Sequence, residues 1–392
     1  MTPQPFRPTA LEIAAGVMLE TSGRIDPLPV LERPLSPLRA FEEALLPALR
    51  RPPCLVTFSG GRDSSTVLAV ALDVARREGL PPPVAATVRF LGAPGADESD
   101  WQERIVRELG VHDWLKLDVV EELDFVGPVA TRTLRAHGVL FPSHISLLVR
   151  LLDEAGSGSL LTGFGGDPVF GGWPFRREVA SLTGRARPSG RGLLALGFTS
   201  APGAARRTYY RRRARPPRWL RPAARAAAAD GWARGRAGEP LTFARYLAWL
   251  VSRRRTQALE WSTTTIADAA GAVVGHPFLE RRFVAALAAV GGRTGLGTRT
   301  AAMRAVFDAA VPVEVLERED KALFHLVYFR SYTREFARRH GGAGVDAALS
   351  DPEVLAAEWG SHLPVARSSL ALQAAWLATD AGELGEPLLD GR

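Results

Sequence analysis

Lysine is almost absent from this basic chain. Its 392 residues include 49 Lys and Arg against 42 Asp and Glu, and the only lysines are Lys116 and Lys321. A Walker-type phosphate loop requires Gly-Lys-Ser/Thr, but Lys116 follows a leucine and Lys321 follows an aspartate. The sequence therefore excludes that class of nucleotide site, and any nucleotide must be held by other groups.

Cysteine and long apolar runs are also scarce. Cys54 is the only cysteine, which excludes an intrachain disulfide and a cysteine-rich zinc site. A lone cysteine is typical of a reducing compartment, so we expect a cytoplasmic protein. No uncharged apolar run reaches the roughly 18 residues of a membrane span, so we expect no membrane association.

The order of the predicted elements indicates an α/β fold. Apolar segments predict strands at 54–58, 84–90, 114–119 and 159–162, and amphipathic spacing predicts helices at 37–51, 63–77, 97–109, 129–136 and 143–154. Alternating strands and helices predict a parallel sheet flanked by helices, and the chain from 241 onward is predicted to be mostly helical. Ligands of such sheets bind beyond the carboxyl ends of the strands.

The first glycine-rich turn is Ser59-Gly60-Gly61-Arg62-Asp63-Ser64-Ser65, between a predicted strand and a predicted helix. Two glycines let the backbone approach an anion closely. The amides of the helix start, with the hydroxyls of Ser59, Ser64 and Ser65, would cradle a phosphate chain. Asp63 has the wrong charge for phosphate alone and is a candidate Mg²⁺ ligand beside the phosphates. The alternative is a tight turn with an ordinary helix N-cap.

A second glycine-rich turn, Leu160-Leu-Thr-Gly-Phe-Gly-Gly-Asp-Pro-Val-Phe-Gly-Gly172, follows about 100 residues later. The first turn resembles the Ser-Gly-Gly-x-Asp-Ser pyrophosphate loop of the ATP pyrophosphatases, the PP-loop superfamily. The second resembles the Ser-Gly-x-Gly-x-Asp-Glu-x-Phe-Gly-Gly segment of asparagine synthetases, which β-lactam synthetases and lasso-peptide cyclases share. Two similar motifs in the same order make a chance match improbable.

Two later segments extend the resemblance to about residues 35 to 330. Gly275-His-Pro-Phe-Leu-Glu280 is similar to the family's Arg-x-Pro-Phe-Leu-Asp segment. Val315-Leu-Glu-Arg-Glu-Asp-Lys-Ala-Leu-Phe324 is similar to its Arg-x-x-Lys-x-x-Phe segment, whose lysine is catalytic. The set of motifs looks most like lasso-peptide cyclases and β-lactam synthetases.

The resemblance implies an adenine nucleotide alpha hydrolase-like fold and a reaction. Family members use ATP and Mg²⁺ to adenylate a carboxylate with release of pyrophosphate, and an amine then attacks the acyl-adenylate to give an amide and AMP. By this resemblance Asp63 and Asp167 would hold Mg²⁺, and Thr162 and Gly163 would touch the AMP part. Lys321 would stabilise charge as the amide forms, and the pyrophosphate would be held by Ser59, Gly60, Gly61, Asp63 and Ser64.

Lys321 is also supported by composition. In a chain with 47 arginines, lysine is rarely supplied by chance, and an ammonium with a movable pKa can do what a guanidinium cannot. The alternative is a surface lysine, which is our expectation for Lys116.

The chain departs from the family at Phe164, where asparagine synthetases carry Glu and β-lactam synthetases carry Tyr. Phenylalanine cannot accept a proton, so a general base must lie elsewhere. Glu260 is the candidate, because a carboxylate at about this distance before Pro-Phe-Leu belongs to the family's acid/base pair. The alternative is a helix-surface charge. Lasso-peptide cyclases tolerate a non-acidic residue at the position of Phe164.

The motifs divide the chain into four predicted regions. We expect an N-terminal extension at 1–50, a PP-loop ATP-binding core at 51–200, an arginine-rich insertion or linker at 201–240 and a helical synthetase region at 241–392. About 50 residues precede the first strand, too few for the glutaminase domain of asparagine synthetases. The attacking amine is therefore expected on the substrate, on a second substrate or as free ammonia.

The region 201–240 concentrates the positive charge of the chain. It contains eleven arginines and two acidic residues, a net charge of +9, interleaved with Tyr209, Tyr210, Trp219 and Trp232. This pattern indicates a site for an acidic peptide or partner protein. The alternative is a solvated insertion in an arginine-biased chain. Nucleic acid is the less favoured partner because the motifs resemble the amide-forming branch.

The function favoured by the sequence is ATP-dependent, AMP-forming amide synthesis in peptide or other natural-product biosynthesis, such as macrolactam formation. The carboxylate and the amine would then belong to one peptide. The alternatives are an ammonia-dependent asparagine-synthetase-like enzyme, a PP-loop enzyme that adenylates RNA, and a nucleotide-binding partner protein that has lost catalysis.

Overall fold

The computed structural model describes residues 6–20, 25–93, 95, 98–177, 179, 190, 197–198, 201–318 and 327–384. Five strands of this part form one sheet with all neighbours parallel. They are β1 (Cys54–Thr57), β2 (Val84–Phe90), β3 (Trp114–Val119), β4 (Ser159–Leu161) and β5 (Val273–Gly275). Their order is β3-β2-β1-β4-β5. The predicted parallel α/β fold is therefore confirmed.

Helices cover the sheet and form most of the C-terminal part. Along the first half of the chain they are α1 (Ala10–Ala15), α2 (Pro37–Leu49), α3 (Arg62–Glu78), α4 (Ser99–Glu108), α5 (Pro128–His137) and α6 (Ser146–Ala155). The next are α7 (Gly203–Arg213), α8 (Pro222–Ala237), α9 (Phe243–Ser252), α10 (Arg254–Ala269), α11 (Arg281–Gly291) and α12 (Arg299–Phe307). The last are α13 (Val313–Glu317), α14 (Ser331–His340), α15 (Pro352–Trp359) and α16 (Ser369–Leu384).

The five helices predicted in the first half are present as α2 to α6, with ends that differ by up to three residues. Among the described residues, no helix has both the length and the apolar character needed to cross a membrane.

Side chains of the central strand β1 pack against helices on both faces of the sheet. Leu55 packs with α6 in one apolar cluster, whereas Cys54 and Val56 pack with α2 and α3 in another. Alternate side chains of a strand point to opposite faces, and both sets are buried here. Burial on both sides is typical of a parallel sheet with helical crossovers. The turn after β1 consequently opens at the middle of the carboxyl edge, where a ligand site is expected.

Strand β5 is the element that sequence reasoning missed. It has three residues, and Ser159 pairs with Val273 while Leu161 pairs with Gly275. Three residues are too few to show a strand period. The pairing adds the C-terminal half of the chain to the edge of the sheet and places the segment after Gly275 beside the end of β4.

The C-terminal helices are held on the sheet by aromatic packing. The ring of Phe41 on α2 lies 4.9 Å from Phe278, 5.2 Å from Phe283 on α11 and 5.0 Å from Phe307 on α12, measured between centroids. All four side chains are buried. Such ring pairs contribute roughly 0.5–1.5 kcal/mol each beyond their area. The cluster fixes α12, which carries Arg299, close to α3.

The arginine-rich region is folded around α7 and α8. No residue of α7 is buried, whereas α8 buries one face of alanines and glycines. Between them Trp219 is buried, and its indole N–H donates to the Ala14 carbonyl oxygen at 2.8 Å. This link anchors the region to α1. The predicted boundaries at residues 50, 200 and 240 stay predictions.

Candidate active site

The turn between β1 and α3 is closed by its own polar groups. The Oγ atoms of Ser59 and Ser64 lie 3.2 Å apart, and the Gly61 N–H donates to Ser59 Oγ at 3.3 Å. Gly60 has a φ of +79°, which favours glycine. No described side chain caps the start of α3. A helix start without a side-chain cap can present backbone N–H groups to an anion, which the helix dipole also favours.

Two carboxylates meet beside this turn on one guanidinium. Arg299 Nη2 lies 2.6 Å from Asp63 Oδ1, and Arg299 Nη1 lies 2.5 Å from Asp167 Oδ1. Asp63 belongs to the first turn of α3, and Asp167 follows the loop after β4. The structure therefore brings together the two residues that the sequence predicts as Mg²⁺ ligands, with an arginine between them.

Two glycines make this approach feasible. A Cβ built on Gly166 would lie 2.3 Å from Asp63 Cγ, and one on Gly163 would lie 3.0 Å from the Ser64 backbone nitrogen. The first distance is shorter than real Cβ contacts, so a side chain at residue 166 would displace the Asp63 carboxylate. The second is tighter than most real Cβ contacts, so a side chain at residue 163 would push on the start of α3. The second glycine-rich turn thus packs directly against the first.

The C-terminal part contacts the first turn through a second arginine. Arg318 Nη1 donates to the Gly60 carbonyl oxygen at 2.6 Å, and Arg318 Nη2 lies 2.6 Å from Glu98 Oε1. Its guanidinium also lies 4.8 Å from the centre of the Trp101 ring. Arg62 donates in turn to the Arg318 carbonyl oxygen. These bonds hold the chain just before the predicted catalytic segment against the turn.

A neutral histidine fixes the end of β4. Thr162 Oγ1 lies 2.6 Å from His276 Nδ1, and Thr263 Oγ1 lies 2.8 Å from His276 Nε2. Burial lowers the pKa of His276 to about 4. Thr263 Oγ1 donates to the Leu259 carbonyl oxygen, so the consistent tautomer has Nε2 donating to Thr263 and Nδ1 accepting from Thr162. Thr162 Oγ1 also accepts the N–H of Phe164 at 3.3 Å.

These elements surround a cleft of about 1650 Å³. Its described lining includes seven arginines and three acidic residues, namely Arg62, Arg89, Arg176, Arg253, Arg255, Arg299 and Arg318 against Asp63, Glu98 and Asp167. The lining also includes the aromatic side chains of Phe90, Phe125, Phe141, Phe164 and Tyr328. A lining that is both basic and aromatic suits a polyanion that carries a flat or apolar group.

Comparison with known protein families decides the family of this chain. The model of the asparagine synthase family matches residues 40–380, which include the sheet, both glycine-rich turns and the C-terminal helices. The chain belongs to the asparagine synthase family. It is accordingly an ATP-dependent synthetase of the amide-forming class. A search of curated proteins finds no match to it.

The donor set of this asparagine synthase family member fits a magnesium ion that is shared with phosphates. Asp63 and Asp167 approach the same guanidinium, so a cation replacing it would meet both carboxylates. Among the described residues, no group of three or more His, Cys, Asp or Glu side chains could hold a metal alone. Mg²⁺ commonly takes one or two carboxylates and completes its shell with phosphate oxygens and water.

The other predicted site residues differ in their position relative to the cleft. Ser59, Gly61, Ser64 and Gly163 line the cleft, whereas Gly60 and Ser65 are buried behind it. Ser65 Oγ has no hydrogen-bond partner in the described part. Thr162 is buried in the histidine network. Their roles toward a nucleotide stay predictions, and Lys321 lies outside the described residues.

Glu260 is half-buried on α10. Leu259 and Thr256 of the same helix line the cleft, and Glu260 is not among the described lining residues. Burial raises the pKa of Glu260 to about 7, partly offset by the charge of Arg281. A carboxyl group that titrates near neutrality suits a general base, and this role also stays a prediction.

Two site residues escaped sequence reasoning. Arg299 is one of 47 arginines and has no motif around it, so only its distances to Asp63 and Asp167 single it out. His276 lies inside a quoted motif, yet its partners Thr162 and Thr263 are 114 and 13 positions away. Only the pairing of β4 with β5 brings the three side chains together.

Proposed function

We propose that this chain is an AMP-forming amide synthetase that adenylates a substrate carboxylate and condenses it with an amine. We favour peptide or other natural-product biosynthesis in the cytoplasm, with both groups on one peptide so that a macrolactam is closed. The observation that carries the proposal is the convergence of Asp63 and Asp167 beside the uncapped start of α3. It offers an anion site and two metal-ligand carboxylates at one point of a basic cleft.

The residues of the first turn would bind the phosphates of ATP. The N–H groups at the start of α3 and the hydroxyls of Ser59 and Ser64 would supply donors, and the lining arginines would supply positive charge. The AMP part would lie toward Thr162 and Gly163, because β4 is the neighbour of β1 in the sheet. A Mg²⁺ ion held by Asp63 and Asp167 would neutralise phosphate charge and favour departure of pyrophosphate.

Lys321 and Glu260 would serve the second half of the reaction. Lys321 follows Arg318 by three positions, and Arg318 bonds to the Gly60 carbonyl of the phosphate turn. Its ammonium would stabilise the negative charge that develops as the amine attacks and AMP leaves. Glu260, with its raised pKa, would accept the proton of the attacking amine.

The size of the cleft supports a bulky acyl substrate. Ligand pockets of ordinary size measure roughly 300–1,000 Å³, and the cleft here is about 1650 Å³. Its lining includes aromatic side chains as well as charged ones. A small dicarboxylate such as aspartate would leave aromatic surface uncovered, whereas a peptide would cover more of it.

The proposal is tested by the products formed from ATP. Purified protein is incubated with ATP, Mg²⁺ and peptides that carry a free carboxylate and a free amine, and pyrophosphate, AMP and peptide mass are measured. We expect pyrophosphate only with the carboxylate substrate, and AMP in equal amount. The Lys321→Ala variant should make no amide while retaining ATP binding. Lys116→Ala is the matched control, since Lys116 is the other lysine and pairs with Glu103.

Other outcomes identify the alternatives. Turnover with aspartate and ammonia but with no peptide would indicate an ammonia-dependent asparagine-forming enzyme. Binding of ATP without conversion to AMP with any carboxylate would indicate a nucleotide-binding protein that has lost catalysis.

A further inference from the structure

The arginines of the region 201–240 differ in whether they have hydrogen-bond or ion-pair partners. Six of them donate to acidic side chains or to backbone carbonyl groups, namely Arg207, Arg218, Arg221, Arg225, Arg234 and Arg236. At the end of α7 the situation differs. Arg211, Arg212 and Arg215 have no acidic partner in the described part of the chain, and Arg213 lies over the ring of Tyr209 at 4.3 Å. All four are exposed.

Structural stability gives little reason for this cluster. Basic residues in the last turn of a helix interact favourably with its dipole, but the effect is small and is screened at exposed positions. Like charges close together repel one another, and α7 contributes no residue to the core. An anionic ligand would remove the repulsion between Arg211, Arg212 and Arg213 and gain charge-assisted hydrogen bonds.

A shallow groove leads to these arginines. It measures about 570 Å³ and is lined by small and flat side chains followed by charged ones, in the order Ala204, Ala205, Thr208, Tyr209, Arg212 and Arg213. The two alanines leave room for the backbone of an extended chain. The groove therefore offers contact for a peptide backbone at one end and guanidinium groups for carboxylates at the other.

We propose that this groove and the last turn of α7 form the docking site for an acidic segment of the peptide substrate. Charge complementarity selects an acidic occupant, and the identity of that occupant as the substrate rests on the proposed function. We name Ala204, Ala205, Thr208, Tyr209 and Arg211–Arg213 the docking face.

The aromatic rings favour a peptide over a nucleic acid. Proteins that bind single strands stack bases on open faces of aromatic rings. Here Arg213 covers Tyr209, and Phe198 lies 4.4 Å from the same ring. Arg236 lies over Tyr210 at 5.6 Å. Both tyrosines are thus already engaged, and the docking face is left with carboxylate-binding groups rather than a stacking platform.

Packing links the docking face to the cleft. Arg236 of α8, which lies over Tyr210, pairs with Glu239 at 2.6 Å. One residue earlier, a Cβ built on Gly235 would lie 4.0 Å from Arg253 Nη2, and Arg253 lines the cleft. Helix α8, against which α7 packs, thus approaches a residue of the cleft lining. A substrate held at the docking face would be tethered to the protein, which would raise its effective concentration at the cleft.

The test is peptide binding without ATP. A fluorescently labelled peptide of alternating glutamate and alanine is titrated with the full chain, and anisotropy is measured at low and at moderate salt. The Arg211→Ala/Arg212→Ala/Arg213→Ala variant should weaken binding about tenfold or more. The Arg334→Ala/Arg338→Ala/Arg339→Ala variant is the matched control, because it removes the same charge from three exposed positions of helix α14, and it should change the affinity less than about twofold.

Further measurements distinguish specific docking from the alternatives. The glutamine counterpart of the peptide should not bind, and far-UV circular dichroism should be equal for both variants because alanine favours helices. Equal weakening by both triple variants would overturn the proposal in favour of non-specific attraction. Tighter binding of a single-stranded RNA that is lost with the docking-face variant would overturn it in favour of a nucleic-acid surface. Absence of ATP turnover with intact peptide binding would defeat the proposed function alone.

Discussion

Arg299 and Asp63 form an ion pair at 2.6 Å beside the first glycine-rich turn, and the same guanidinium contacts Asp167. The pair joins the first turn of α3 to the first turn of α12, elements that are 236 positions apart in sequence. The guanidinium therefore occupies the place where a divalent cation would meet both carboxylates. A cation and Arg299 must compete for that place.

We predict that Arg299→Ala raises the affinity of the nucleotide-free protein for Mn²⁺ by about fivefold, the factor that corresponds to an ion pair of about 1 kcal/mol. Mn²⁺ binding is followed by electron paramagnetic resonance, with Mg²⁺ as competitor. Arg304→Ala on the same helix is the control, because Arg304 pairs with Glu317 rather than with the site. An unchanged affinity in Arg299→Ala would contradict the competition.

Gly166 is predicted to be intolerant of any side chain. In Gly166→Ala the new Cβ would overlap the Asp63 carboxylate, with 2.3 Å to its Cγ, and the carboxylate must leave its position. We expect pyrophosphate release to fall at least about a hundredfold, as for loss of a positioned catalytic group, with little change in melting temperature. In Gly203→Ala, where nothing lies within 4 Å of the new Cβ, activity should be unchanged. Equal activity of the two variants would show that close packing of the second turn against Asp63 is not required for activity.

The assignment of the general base is tested by a pair of variants. Glu260→Gln should lower amide formation about a hundredfold or more, the usual contribution of a general base, and should abolish the fall in rate below about pH 7 that its pKa implies. Phe164→Leu should keep the rate within a few-fold, because Phe164 has no proton to transfer. A large loss of rate in Phe164→Leu together with an unchanged rate in Glu260→Gln would exclude Glu260 as the general base.

Stability is predicted to fall as the solution is acidified. Burial lowers the pKa of His276 from 6.5 to about 4, so between these values the unfolded chain binds a proton that the folded chain does not. The free energy of unfolding therefore decreases as pH falls through this window, by up to about 3 kcal/mol from this group. Urea unfolding at several pH values should show a smaller decrease in His276→Gln.

His144 acts in the same direction, because burial and the charge of Arg255 lower its pKa to about 4. The control for His276→Gln is His112→Gln, since His112 is exposed. A pH dependence that is the same in wild type and His276→Gln would show that His276 is not buried in the neutral form.

Local patterns in the sequence determined most of the sheet. The segments that predict β2 and β3 give the observed bounds Val84–Phe90 and Trp114–Val119, because both contain the β-branched and aromatic residues that favour strands. The turn 59–65 was recognisable for a similar reason: the glycines and hydroxyls needed at a phosphate site are adjacent in the chain. Membership of the asparagine synthase family followed from the order of such local motifs.

Only the tertiary structure decided which distant residues share the site. Arg299 reaches Asp63 and Asp167 because the phenylalanine cluster holds α12 near α3, and His276 meets Thr162 because β5 pairs with β4. It also separated the arginines of 201–240 into paired ones and the exposed group at the end of α7. The composition gives the number of charged residues. Which of them pair depends on contacts between residues that are distant in sequence, and no periodicity or local motif reveals such contacts.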